Sequence, residues 1–239
     1  MQNILLFIDL DDTLFQTHRK NPDGAIPATY SAESGKGSYM TKAQYLFFEL
    51  FKSSEKVKVI PTTARDFRQY NNTLLSTDPR INTAILYFAG AIFEDRTEEK
   101  YWQQHIQQAY RKLELQISQM LGLVKNILGG RPLFSLYNVD NYYITIKAKE
   151  DCPLKTREEI FTQLKTLKTS EYFVHQNDRA LSLVPNFLDK RYGVEYLIDK
   201  YKPELTLGVG DSFTDWGFMQ QCDFRIIPKN TQIETVFRS

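Results

Sequence analysis

Short apolar runs alternate along this chain with longer stretches in which apolar residues recur every three or four positions, the rhythm of strands and helices taken in turn. Ile4–Ile8 (Ile-Leu-Leu-Phe-Ile) is apolar throughout, as in a strand of a parallel sheet covered on both faces, and Val57–Pro61 and Leu205–Val209 read as further strands. Residues 83–90 read as a third strand in chain order, and 224–227 as a last short one. Helices are predicted over 41–52, from the loop after Pro61 to about Leu75, over 188–200 and over 214–222. In the first of these Ala43, Leu46, Phe47, Leu50 and Phe51 fall on one face, which marks that face for the core. Residues 16–40 are polar and carry Pro22, Gly24, Pro27, Gly35 and Gly37. That is long for a simple connection and suggests a functional loop covering a site. Within it 28–31 and 38–41 can pair as a hairpin around 33–37.

The texture changes in the middle of the chain. Residues 97–128 form a long helical region rich in Gln, Lys and Glu. Strands follow over 133–138 and 142–149, turning at Val139-Asp140-Asn141, then a helix over 156–168. Strands over 172–176 and 179–184 turn at Asn177-Asp178. Alternating Tyr143, Thr145 and Lys147 predict an antiparallel sheet with one polar face. The fold class is therefore α/β: a Rossmann-like parallel sheet core, residues 1–95 and 186–239, interrupted by an αββαββ module of α+β type over 96–185.

Composition narrows the function classes. Of 239 residues, 42 % are hydrophobic, enough for a sizeable core, and 30 basic residues balance 29 acidic ones for a net charge of +1. Such a balance gives no footprint for nucleic acid or a membrane surface. Cys152 and Cys222 have no metal-like spacing, so a disulfide framework is not expected and a reducing compartment is. With no basic leader segment and no apolar stretch near the ~20 residues of a membrane span, a soluble cytoplasmic protein is expected.

The chemistry concentrates at strand ends. Asp9, Asp11 and Asp12 follow the first strand, Thr63 the second, and Asp211 and Asp215 the strand ending at Val209. Lys190 opens the helix before that strand. Parallel strands bring their carboxyl ends to one edge, where distant residues meet in one crevice. Crowded acids repel, and a hard divalent cation such as Mg2+ relieves the repulsion. Asp9 offers a carboxylate and Asp11 a backbone carbonyl. Carboxylates joined by a lysine and a hydroxyl suit a metal that shares a phosphate with the protein. Taken singly, each has a plainer reading: Asp-Asp-Thr or Thr63 as a helix cap, Lys190 as a solvated residue, Asp211 as a turn residue.

These four motifs, Asp9-Leu-Asp11-Asp-Thr13, Thr63, Lys190 and Gly210-Asp211-Ser-Phe-Thr-Asp215, in this order, resemble those of haloacid dehalogenase (HAD) superfamily phosphatases, and the αββαββ insert resembles that family's type C2B cap. Cof-type, sucrose-, trehalose- and mannosylglycerate-phosphate phosphatases and phosphomannomutase share that cap. The resemblance implies the HAD fold and Mg2+-dependent hydrolysis of a small phosphorylated metabolite, such as a sugar phosphate, through an aspartyl-phosphate. Asp9 would be the nucleophile, Asp11 the general acid and base with a raised pKa, and Lys190 a charge partner. Thr63, Ala64, Arg65 and Lys190 would hold the phosphoryl group, and Asp9, Asp11, Asp211 and Asp215 the metal. Cap residues such as Asn141, Tyr143, His175, Asn177 and Arg179 would read the rest of the substrate. Thr13 would support the loop and Asp12 would cap or face solvent. A phosphomutase, a phosphometabolite-binding protein without turnover, and a dehalogenase are the alternatives, and a monomer or homodimer is expected. Ala64 where Cof-type relatives often have Gly, Ala89-Gly90-Ala91 where they often have Asn-Gly-Ala, and Thr214 where they often have Asn argue against a typical Cof-type enzyme.

Overall fold

The computed structural model describes residues 3–35 and 37–237, which form two compact units: Met1–Gln103 with Asp189–Ser239, and Gln104–Leu188. The first division falls inside the helix Lys100–Arg111, a few residues beyond the expected boundary at 95/96, and the second at 188/189. Among the described residues no helix is long and apolar enough to cross a membrane.

In the first unit four parallel strands lie in the order Phe224–Ile226, Leu205–Val209, Ile4–Ile8, Val57–Pro61. Ile8 stands level with Val209 on one side and Pro61 on the other, so Asp9, Gly210 and Thr62 leave the sheet together. Leu5 to Ile8 are all buried, as expected for a strand covered on both faces. The sheet continues past Pro61 through a parallel bridge between Thr62 and Ile85 and a 2.9 Å bond from the Thr63 amide to the Ile85 carbonyl.

Several elements differ from expectation. The strand predicted over 83–90 ends at Leu86, because Tyr87, Phe88 and Ala89 all take left-handed φ (55°, 55° and 71°). The chain then returns as Ala91–Glu94, antiparallel to Thr83–Leu86. The helix expected to reach Leu75 stops at Asn71, where the Thr73 hydroxyl bonds back to the Tyr70 carbonyl at 2.7 Å, and a 3-10 turn follows over Leu74–Thr77. In the 16–40 segment Ser38–Met40 pairs with Gln16–Thr17 and with Ile26–Pro27; the expected pairing of 28–31 with 38–41 is met only at its first residue, where the Ala28 amide donates to Ser38 O at 2.9 Å, before the chain enters the 3-10 turn Tyr30–Ser34. Lys36, within the expected turn at 33–37, lies outside the described residues. The segment is anchored: Tyr30 N donates to Asn72 O at 2.8 Å and Leu74 N to Ala28 O at 2.9 Å.

The helix Lys42–Lys52 forms where predicted, capped by Thr41 and Gln44 in a reciprocal capping box. Its expected core face is largely turned outward. Phe48 is its buried residue, whereas Leu46 and Leu50 are 56 % and 68 % exposed. One wide apolar arc covers the helix, and only part of it meets the sheet.

The inserted unit has a four-stranded antiparallel sheet in the order Tyr172–Asn177, Ala180–Pro185, Tyr143–Ala148, Phe134–Val139. The turn at Asp140 and Asn141 has positive φ at both residues, the pairing that matches strand twist. The predicted helical stretch 97–128 is two helices, Lys100–Arg111 and Ile117–Leu128. Between them the Glu171 carboxylate accepts from the amides of Glu114 (2.9 Å) and Leu115 (3.1 Å). Helix Leu154–Lys165 and helix Ile117–Leu128 cover one sheet face, enclosing Ile144, Ile146, Leu181, Leu183 and Phe161. Across the sheet Tyr137, Thr145, Ser182 and His175 stand in register as a row of groups able to donate or accept.

Candidate active site

The site grows from the level ends of the Ile4–Ile8 and Leu205–Val209 strands. Asp9 is pinned by its amide, which donates to the Val209 carbonyl at 2.9 Å. Lys190, the first residue of helix Lys190–Tyr201, reaches the same point. The helix begins there because Asp189 caps it, accepting from the Arg191 amide at 2.8 Å. Lys190 Nζ donates to Asp9 Oδ1 and to Asp215 Oδ1, both at 2.6 Å. All three side chains are at most 7 % exposed.

Asp215 is the organising group of the 210–215 loop. Its Oδ2 accepts from Ser212 Oγ at 2.6 Å, the Ser212 amide at 3.0 Å and the Asp211 amide at 3.3 Å. Gly210 is a steric requirement here, because a Cβ at that position would stand 2.4 Å from Asp215 Cβ. Asp211 is held from the other side by Thr13 Oγ1, which donates to its Oδ1 at 3.1 Å. Thr13 therefore supports the loop as expected. Ser212 was not predicted as a site residue; its spacing to Asp215 matches a capping box, and that signal was in the sequence.

Charge in this cluster does not balance. Oxygens of Asp9, Asp211 and Asp215 all lie within 4.8 Å of one another, and Lys190 is the cation in their midst. Three carboxylates and one ammonium leave an excess that a divalent cation would neutralise, and hard oxygen donors suit such an ion. Burial, reinforced by Asp215 and only partly offset by Lys190, pushes Asp9 well above the usual carboxylate range. Burial, then Asp215 and Asp12, push Asp211 up to about 7. The two aspartates raise Lys190 against the opposing effect of its burial.

Asp11 faces differently. Its carboxylate is outside the three-acid cluster and meets Arg65 in a two-pronged pair, Nε to Oδ2 and Nη2 to Oδ1, both at 2.7 Å. Burial works to raise its pKa, but the guanidinium outweighs it and holds Asp11 below the usual range. This corrects the expectation of a raised pKa. That expectation rested on neighbouring acids; here the influence that raises is burial, and Arg65, two residues after Thr63, outweighs it.

Thr63 is buried and sits in the loop that leaves the second strand. It does not cap the next helix, since Asp66 does, accepting from the Gln69 amide at 2.6 Å. The Thr63 hydroxyl accepts from the Arg65 amide at 3.2 Å, and Ala64 lies between them. The left-handed turn 87–89 clamps this loop: the Tyr87 amide donates to Arg65 O at 3.0 Å and the Phe88 amide to Thr63 O at 3.2 Å. Trp102 Nε1 closes the turn on the Ala89 carbonyl at 2.8 Å. Asp12, at φ 68°, pairs with Lys20 of the 16–40 segment at 2.5 Å.

The structure thus brings Asp9, Lys190, Asp211 and Asp215 into contact, with Asp11, Arg65 and Thr63 at the same sheet edge. Asn177 and Arg179 belong to the inserted unit. There Arg179 donates to Glu150 Oε1 at 2.9 Å beside the hairpin turn.

No protein-family model and no curated protein sequence matches the chain. Solved structures do. The sucrose-phosphatase of Synechocystis, solved with sucrose and phosphate, is 16 % identical with a TM-score of 0.59, covering 100 % of this chain and 87 % of that one. The C-terminal domain of Candida albicans trehalose-6-phosphate phosphatase is 15 % identical with a TM-score of 0.61, covering 92 % and 73 %. The IMP-nucleotidase of Plasmodium falciparum, solved with IMP bound, is 15 % identical with a TM-score of 0.55, covering 98 % and 66 %. These proteins share one architecture despite their distant sequences, and this chain has it: the fold is that of the haloacid dehalogenase superfamily, a parallel-sheet core interrupted by an α+β insert.

Proposed function

We propose that this protein is a Mg2+-dependent phosphatase that hydrolyses a small phosphomonoester through an aspartyl-phosphate on Asp9. The observation that carries this reading is the buried cluster of Asp9, Lys190, Asp211 and Asp215 at the carboxyl end of the sheet. Asp9, Asp211 and Asp215 with the Asp11 carbonyl would hold Mg2+, which supplies positive charge where a carboxylate meets a phosphate dianion. Lys190 engages Asp9 Oδ1, so Oδ2 is the oxygen that attacks phosphorus. The Thr63 hydroxyl, which accepts from the Arg65 amide and can still donate, and the Arg65 guanidinium, with Ala64 between them, would hold the phosphoryl oxygens.

Asp11 then protonates the leaving alkoxide and later takes a proton from the attacking water. In the resting site Arg65 keeps Asp11 ionised. An arriving phosphate competes for that guanidinium, and transfer of Arg65 to the phosphate would release Asp11 to take up its proton. The likeness to structures of a sucrose-phosphatase and a trehalose-6-phosphate phosphatase favours a sugar phosphate or similar metabolite as the substrate.

The test is phosphate release from a broad panel of phosphometabolites with Mg2+, beside Asp9→Asn and an EDTA control. Release that falls at least about a thousandfold in Asp9→Asn is expected, the usual scale for loss of a covalent nucleophile. Turnover undiminished in that variant would remove the aspartyl-phosphate mechanism.

A further inference from the structure

The outward face of the helix Lys42–Lys52 has a self-complementary pattern. Ala43, Leu46, Phe47 and Leu50 follow the spacing i, i+3, i+4, i+7 and form one stripe. Ala43 is exposed, and Leu46 and Leu50 are 56 % and 68 % exposed. Phe47 is half-buried, its ring edge-on to Phe51 at 5.1 Å. Lys42 and Glu49, seven residues apart, line one flank of the stripe. Lys42 is exposed, and Glu49 pairs with Lys52. An apolar stripe with this spacing is the seam along which two helices pack.

We propose that this face is a homodimer interface in which the helix pairs antiparallel with its own copy about a two-fold axis near Leu46. The pattern on the stripe selects a second copy as the occupant. Antiparallel pairing about Leu46 sets each Ala43 against Leu50 of the other copy, small against large, with Leu46 meeting Leu46 at the axis. The same rotation brings each Lys42 beside Glu49 of the other copy, twice per dimer. A parallel pair would instead carry the two charged flanks to opposite sides of the seam, where Lys42 and Glu49 of one copy meet neither charge of the other. Such a two-fold contact is closed and uses one patch on both copies. The helix has 11 residues, hence a length of about 16 Å. One helix face of that length falls short of the ~800 Å² per partner of a standard interface, so the dimer is weak, with Kd in the micromolar range.

Sedimentation equilibrium of the full chain between about 1 and 300 µM tests this. A monomer–dimer equilibrium is expected, and Leu50→Glu should raise Kd at least about tenfold, by placing charge in the seam. Lys42→Glu should weaken the dimer and the double change Lys42→Glu/Glu49→Lys should restore it. Circular dichroism should be unchanged in every variant, because these positions are exposed or paired at the surface. A chain that stays monomeric throughout overturns the proposal, as does a dimer indifferent to Leu50→Glu. Failure of the double change to restore association overturns the antiparallel geometry.

Discussion

Asp9 and Asp11 are two residues apart and live in opposite surroundings. Asp9 is 5 % exposed and bonded to a lysine that is itself buried between acids. The Asp11 side chain is 46 % exposed and is met by one arginine from a neighbouring loop. Burial dominates the first and a cation the second, so their pKa values move in opposite directions from the same starting point. The difference separates two kinds of work. The buried cluster is a fixed electrostatic frame whose charges have nowhere else to go. The Asp11–Arg65 pair is open to exchange, because water or an incoming anion can replace either partner.

The largest effect should come from breaking the frame. Lys190→Met leaves the acids without their ammonium, and such loss of one partner of a buried pair costs about 3–5 kcal/mol. Urea unfolding of the metal-free chain should show it, and saturating Mg2+ should recover part of it. A loss below about 1 kcal/mol would mean that the acids are protonated or solvated in the folded protein and do not act as a frame. Arg65→Lys attacks the exchangeable side. A lysine keeps the charge but loses the two-pronged geometry, so kcat/KM should fall about tenfold, mainly through KM. Stability should change by less than about 1 kcal/mol, as for other partly exposed pairs. Equal damage to stability and turnover would erase the distinction between the two sides.

A third effect is a pH dependence of the metal-free chain. Asp211 has an ordinary value of 3.8 and is pushed up to about 7 in the fold. Between those values the folded state holds a proton that the unfolded state has lost, so stability falls as pH rises from about 4 to about 7. Melting temperature should therefore decline over that window without Mg2+ and flatten when Mg2+ is added. A metal-free melting temperature that climbs steadily across the window would sink the assignment of Asp211 as a carboxyl raised by its neighbours.

Much of this was legible in the sequence. The strand whose end carries Asp9 is short and apolar throughout, which suits a parallel sheet covered on both faces, and the strands that lead to Thr63 and Asp211 are short segments of largely apolar residues. Motif order then placed Lys190 among the acids. What escaped was mostly decided by neighbours distant in the chain. The outward turn of Leu46 and Leu50 could not be read from the helix, because an apolar stripe has the same periodicity whether it meets a sheet or a second protein. Arg65 was singled out, but its hold on Asp11 depends on two loops converging from different strands. The early end of the 83–90 strand had no local signal either, since Tyr, Phe and Ala do not favour left-handed backbone.

That left-handed turn has a consequence for how the site can move. Three consecutive residues with side chains in this conformation each carry a penalty of about 1–2 kcal/mol, so the turn does not hold its shape alone. Its amides at Tyr87 and Phe88 are fastened to the carbonyls of Arg65 and Thr63, and its far end to the Trp102 indole. The loop that presents Thr63 and Arg65 and the turn beneath it therefore behave like a latch and its spring. Each half is held by the other, so the loop proposed to bind phosphate is set together with the turn beneath it.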